Sequence, residues 1–127
     1  MTQLFELLLL DDEPETADMM CELLGMYFPQ AEIRVAYNGE DAVKLAKERQ
    51  PSAAVFDLEM VGMGGANAAR ELRMAWPDVP PLLIALSGNT SKLEDLRREG
   101  PFNHLLSKPV DMPTLVKLLG NRARSTK

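Results

Sequence analysis

Apolar residues in this chain fall into short runs separated by longer stretches of helical spacing. Leu4–Leu10 is apolar apart from Glu6 and predicts a buried strand. Pro14 suits a first helical turn, which has no use for its missing N–H. Ala17, Met20, Cys21, Leu24 and Phe28 then keep helical spacing until Pro29 stops the helix. Ile33 and Val35 alternate with polar neighbours in a second short strand, and Asn38-Gly39 reads as a turn. Ala42, Val43 and Ala46 mark a second helix ending near Gln50-Pro51. Ala53–Phe56 predicts a third strand, and the glycines of the 62–65 stretch predict a loop. Ala69, Leu72 and Trp76 define a helix that ends before Pro77. Leu82–Leu86 is the fourth strand, followed by a short helix carrying Leu93 and Leu96, capped by Thr90 or Ser91 and closed by Gly100-Pro101. Leu105-Leu106 centres a weaker fifth strand. Asp111 caps a last helix with Met112, Leu115, Val116 and Leu119 on one face, and Gly120 ends it or begins a frayed tail.

Five strands and five helices in strict alternation predict right-handed βαβ units. The fold class is therefore α/β, a doubly wound parallel sheet with helices on both faces. No repeat, low-complexity segment or linker interrupts the pattern. One domain over 1–120 and a flexible polar tail over 121–127 are expected.

Composition narrows the function classes. The 127 residues, 46% hydrophobic and 26% charged, suit a single globular core. With 14 basic and 19 acidic residues the net charge is −5, the wrong sign for a surface that binds nucleic acid through phosphates. The first basic residue is Arg34. Before it come Glu6, Asp11, Asp12, Glu13, Glu15, Asp18, Glu22 and Glu32, so basic residues outnumber acids in the remainder. No positive segment precedes Leu7–Leu10, and that run is too short to cross a bilayer, so neither a secretory signal nor a membrane partner is expected. One cysteine, Cys21, excludes an internal disulfide and a thiolate zinc cage, and one histidine, His104, excludes a multi-histidine metal site. A cytoplasmic, disulfide-free domain is the expectation.

The residues that follow each apolar run carry the chemistry. Leu7–Leu10 ends in Asp11-Asp12, Ala53–Phe56 in Asp57, Leu82–Leu86 in Ser87, and Leu105-Leu106 is followed by Ser107 and Lys108. Parallel strands all end on one sheet edge, where open α/β sheets bind their ligands. If the first and third strands are neighbours, three carboxylates converge there. Such a cluster repels itself. Lys108 and one divalent cation would bring it to neutrality, and oxygen ligands of this kind suit Mg²⁺. An ion and an ammonium beside a carboxylate nucleophile suit phosphoryl transfer. Each of these residues alone is ordinary. An acidic pair is more often a strand-to-helix turn than a metal site, and a lone lysine is usually solvated. The combination on one edge reverses that weighting.

The motifs LLLLDDE (7–13), VFDLEMVGMGG (55–65), IALSGN (84–89) and LLSKPV (105–110) closely resemble the receiver domain of bacterial response regulators, over roughly residues 4 to 120. The resemblance implies a flavodoxin-like (βα)5 fold with strand order 2-1-3-4-5. It implies that Asp57 is phosphorylated by a histidine kinase or phosphotransfer protein. Mg²⁺ would be bound directly by Asp12 and Asp57, through water by Asp11, and by the backbone carbonyl of Glu59. Ser87 and Lys108 would contact the phosphoryl oxygens, and Lys108-Pro109 would be a cis peptide. The resemblance further implies a downstream protein partner or fused output domain. The face formed by the last two helices and the fifth strand would serve for partners, or for a homodimer. The chemistry would be self-catalysed transfer and loss of the phosphoryl group, not enzymatic turnover.

The sequence departs from that family at Val61, where proline is common, and at Gly64-Gly65. At Leu105 the family usually carries a rotating aromatic. Leu105 motivates a second reading, a phosphorylation-independent interaction module. A third reading, a phosphatase of the haloacid-dehalogenase type, needs a second aspartate two residues past its nucleophile. Asp11 is followed there by Glu13, and the chain has no room for a substrate cap. His104 should point to the opposite strand face from Leu105 and is read as structural or exposed. Cys21 is read as inert packing, and Met60 and Met63 as pins for the glycine-rich loop. Arg97, Arg98, Arg122 and Arg124 are read as solvated charges.

Overall fold

Elements alternate along the chain in the predicted order. The computed structural model describes residues 5–59 and 64–125. They form β1 (Glu6–Leu10), α1 (Pro14–Tyr27), β2 (Glu32–Ala36), α2 (Gly39–Glu48), β3 (Ala53–Asp57), α3 (Gly65–Ala75), β4 (Leu82–Ser87), α4 (Thr90–Glu99), β5 (His104–Ser107) and α5 (Met112–Ser125). The strands pair in parallel in the order β2-β1-β3-β4-β5, the flavodoxin-like arrangement that the resemblance implies.

Two apolar layers cover the sheet. Because side chains alternate along a strand, Leu8, Leu10, Ala54, Phe56, Leu83 and Ala85 meet α2, α3 and α4 through Ala42, Ala46, Ala69, Leu72 and Leu93. Leu7, Leu9, Val55, Ile84 and Leu86 meet α1 and α5 through Leu24, Leu115 and Leu119. A central parallel strand is buried on both faces and so reads as a continuous apolar run. Each leucine buried in this way contributes about 1.5–3 kcal/mol. Phe56 stands edge-on to Phe102, ring centres 6.0 Å apart, and anchors β3 immediately before Asp57. Leu105 faces the α4 side and Leu106 the opposite side.

Three local expectations are corrected. Asn38 does not make a free turn. It caps α2, its side chain accepting from the Asp41 N–H at 2.7 Å, a bond worth about 1 kcal/mol. Gly65 belongs to α3, not to a loop, and its missing side chain permits close approach to β3. A Cβ there would lie 2.8 Å from the Asp57 carbonyl oxygen. The last helix does not end at Gly120, because α5 runs through it to Ser125. Ala123 packs on the core. The Arg122 guanidinium donates to the Ser52 and Pro80 carbonyls at 3.1 and 2.9 Å, so it is a clamp and not a solvated charge. The readings of Met60, Val61, Gly62 and Met63 fall outside the described residues.

Candidate functional site

The register of the sheet assembles the site. Leu10 pairs with Phe56, so Asp11 and Asp57 emerge side by side from β1 and β3. Asp57 pairs with Leu86 and Ser87 with Ser107, which places Ser87 and Lys108 each one residue further along the same edge. The Lys108 N–H donates to the Ser87 carbonyl at 2.9 Å, tying the last two strand ends together. The Lys108–Pro109 peptide is cis.

Asp57 is the deepest of the carboxylates, 6% exposed. Its Oδ1 accepts from the Lys108 ammonium at 3.0 Å and from the Glu59 N–H at 3.0 Å. The Asp11 Oδ1 accepts from the Glu13 N–H at 2.9 Å, which closes the turn into α1. Carboxylate oxygens of Asp11, Asp12 and Asp57 lie within 4.8 Å of one another. Ser87 is fully buried, and its Oγ accepts from the Asn89 N–H at 3.0 Å. Asp11, Asp57 and Lys108 also line a cavity of about 200 Å³ with Ala17, Met20, Val55, Leu86 and Val110. That apolar lining lowers the local dielectric and strengthens charge interactions at its mouth.

Electrostatics register the crowding. Asp11 is pushed up from 3.8 to about 6, first by burial and then by the charge of Asp57 and a shared hydrogen bond with it, against the opposing Glu13 N–H and Lys108. Burial alone would lower Lys108. The Asp57 hydrogen bond and charge, with Glu59 and Asp11, raise it above the usual lysine range. A carboxylate pushed up by burial and by a second carboxylate beside it marks a site short of positive charge. The donor set is all oxygen and half open to solvent, which fits a hard, partly hydrated divalent ion such as Mg²⁺.

The structure thus brings together Asp11, Asp12, Asp57, Glu59, Ser87 and Lys108. The Glu59 side chain was not anticipated, because the sequence reading used only its backbone carbonyl. Its Oε1 accepts from the Gly88 N–H at 2.7 Å, and its Oε2 lies 3.7 Å from the Lys108 ammonium. The available signal was an acid two residues past Asp57, facing a glycine immediately after Ser87. His104 is half-buried on β5, away from this group.

Comparison with known proteins gives a consistent result. A family model, the response regulator receiver domain, matches residues 7–120. A response regulator receiver protein of Anaeromyxobacter sp. (strain Fw109-5) is 33% identical over 111 residues, 87% of this chain and 45% of that protein. Protein PilH of Pseudomonas aeruginosa is 31% identical over 116 residues, 89% of this chain and 93% of that one. The solved structure of response regulator protein TrrA from Thermotoga maritima in complex with Mg(2+)-BeF superposes with a TM-score of 0.80 at 25% identity. It covers 96% of this chain and 99% of that one. The chain therefore spans about half of the first relative's length and nearly all of the other two.

Proposed function

The chain belongs to the response regulator receiver domains of two-component signalling, and from that premise we propose that it is a phosphorylation-dependent switch with Asp57 as phosphoacceptor. The observation that carries this reading is the buried Asp57 carboxylate held by Lys108 at 3.0 Å within the three-aspartate cluster. The phosphodonor is a phosphohistidine of a kinase or phosphotransfer protein. An Asp57 oxygen attacks phosphorus and forms the O–P bond. The P–N bond breaks, and its electron pair leaves with the imidazole, which takes a proton from water.

Lys108 neutralises one phosphoryl oxygen, and Ser87 donates its hydroxyl proton to another. Asp12 and Asp57 would hold Mg²⁺ directly, with the Glu59 carbonyl, and Asp11 would hold it through water. When bound, the ion supplies positive charge against the phosphoryl oxygens. The chain catalyses only the gain and loss of its own phosphoryl group and is not a turnover enzyme. Its partner downstream is a separate protein or a fused output domain, and its location is the cytoplasm. No helix among the described residues is long and apolar enough to cross a membrane. Partners are expected on the face of α4, β5 and α5, which would also serve a homodimer. Met19, Leu23 and Met26 add an exposed apolar row on α1.

The test is incubation with acetyl phosphate and Mg²⁺, read by intact mass. Wild type should gain one phosphoryl group and Asp57→Ala none. No gain in wild type, or equal gain in both, would defeat the reading. Leu105 favours the second reading, a phosphorylation-independent module, since leucine has no ring to rotate. Partner affinity left unchanged by beryllofluoride would support that alternative.

A further inference from the structure

We propose that the Glu59 carboxylate is an internal anion that shares the Lys108 ammonium needed by the phosphoryl group and must be displaced when Asp57 is modified. This rests on the reading of Asp57 as phosphoacceptor. Glu59 begins at the site, because its N–H is bonded to Asp57 Oδ1. Its side chain is 41% exposed, and a surface glutamate ordinarily stays in water. Here both oxygens are engaged. Oε1 sits 2.7 Å from the Gly88 N–H, and Oε2 sits 3.7 Å from the Lys108 ammonium. One carboxylate thus bridges the loops that follow β4 and β5. One of its two partners is the same ammonium that touches Asp57 at 3.0 Å.

Gly88 leaves room for the bridge. A Cβ on that residue would stand 3.2 Å from Glu59 Oε1, a contact the carboxylate would have to yield. The region already holds Asp11, Asp12, Asp57 and Glu59 against Lys108. A phosphoryl group adds a charge of about −1.5 to −2 and three acceptor oxygens. It and Glu59 then compete for one ammonium and repel each other. Glu59 acts through Lys108 and Gly88, so it is a positioning residue that sets how readily the site accepts its anion.

Beryllofluoride, a phosphoryl mimic, tests this when titrated with saturating Mg²⁺ into wild type, Glu59→Gln, Glu59→Ala and Gly88→Ala. Amide resonances of the whole chain report both binding and fold. Without any ligand, the residue-88 amide should exchange slowly in wild type and faster in Glu59→Ala. Removing the charge should tighten beryllofluoride binding about twofold to fivefold in Glu59→Gln and Glu59→Ala, the scale of a partly screened ion pair. Gly88→Ala, which keeps every charge but crowds the carboxylate, should shift affinity in the same direction by a smaller factor. If wild type binds the mimic and Glu59→Ala binds it no tighter, the inference fails and the phosphoacceptor reading stands. If neither wild type nor Glu59→Ala binds it, the phosphoacceptor reading fails and the inference falls with it.

Discussion

Replacing Asp11 by asparagine should stabilise the protein when metal is withheld. Asp11 is raised from 3.8 to about 6, by burial first and then by Asp57. A folded-state value above the unfolded one means that the native state binds the extra proton. The associated stability is complete below about pH 4 and is lost as pH rises through 6. At about 1.4 kcal/mol per unit, two units set a ceiling of about 3 kcal/mol. The carboxyl is only half-buried, so solvent screening reduces this to about 1 kcal/mol. Asparagine is neutral throughout and retains an Oδ1 to accept the Glu13 N–H. Urea unfolding in chelator should therefore show Asp11→Asn matching wild type near pH 4 and exceeding it by about 1 kcal/mol at pH 7.5. Carboxylates outside the cluster cancel in the difference. Adding Mg²⁺ at a hundredfold over its Kd should stabilise wild type by about 2.7 kcal/mol and the variant by less, which reverses the order. A variant no more stable than wild type at pH 7.5 in chelator, or a gap that does not close toward pH 4, would refute the electrostatic account of the cluster.

Two further outcomes probe how the scaffold holds the site. Gly65→Ala should cost about 1–3 kcal/mol, because its Cβ would meet the Asp57 carbonyl at 2.8 Å and the Leu58 side chain at 3.2 Å. Thermal melting measures that loss, and an unchanged Tm would mean α3 can withdraw from β3 at no cost. Arg122→Ala should cost about 1–3 kcal/mol by removing the guanidinium's bonds to the Ser52 and Pro80 carbonyls. Urea titration should show a lower midpoint at an unchanged slope.

The sheet edge was legible because two strong rules combine. A continuous apolar run ending in an acid marks the end of a buried strand, and parallel strands end together. Asp11, Asp57, Ser87 and Lys108 followed from those rules alone. Adjacency of β1 and β3 did not; it came from resemblance, since strand order leaves no local trace. Long flexible side chains were opaque for a different reason. The targets of Arg122 are carbonyls 70 and 42 residues away in sequence, and no spacing rule reaches that far. Gly120 misled because glycine ends helices more often than it sits inside them. Here the packing of Ala123 and the Arg122 clamp outweigh its cost of about 1 kcal/mol. Glu59 was missed because its residue type looked irrelevant once its carbonyl had been given a role.

The same contacts bear on how a switch lacking an aromatic at 105 could signal. Ser87 is joined to the start of α4 through the backbone. Its Oγ accepts from the Asn89 N–H at 3.0 Å, and the Asn89 carbonyl accepts from the Leu93 N–H at 3.2 Å in the first turn. In the proposed switch the Ser87 hydroxyl donates its proton to a phosphoryl oxygen while its lone pair still holds Asn89. A shift of Ser87 toward Asp57 is then a shift of the α4 N-terminus. The Glu59–Gly88 bond ties the residue between Ser87 and Asn89 to the loop after β3. In that switch, displacing Glu59 would free Gly88 in the same event that engages Ser87. Leu105 packs on the α4 side of β5, beside the element that this switch would move.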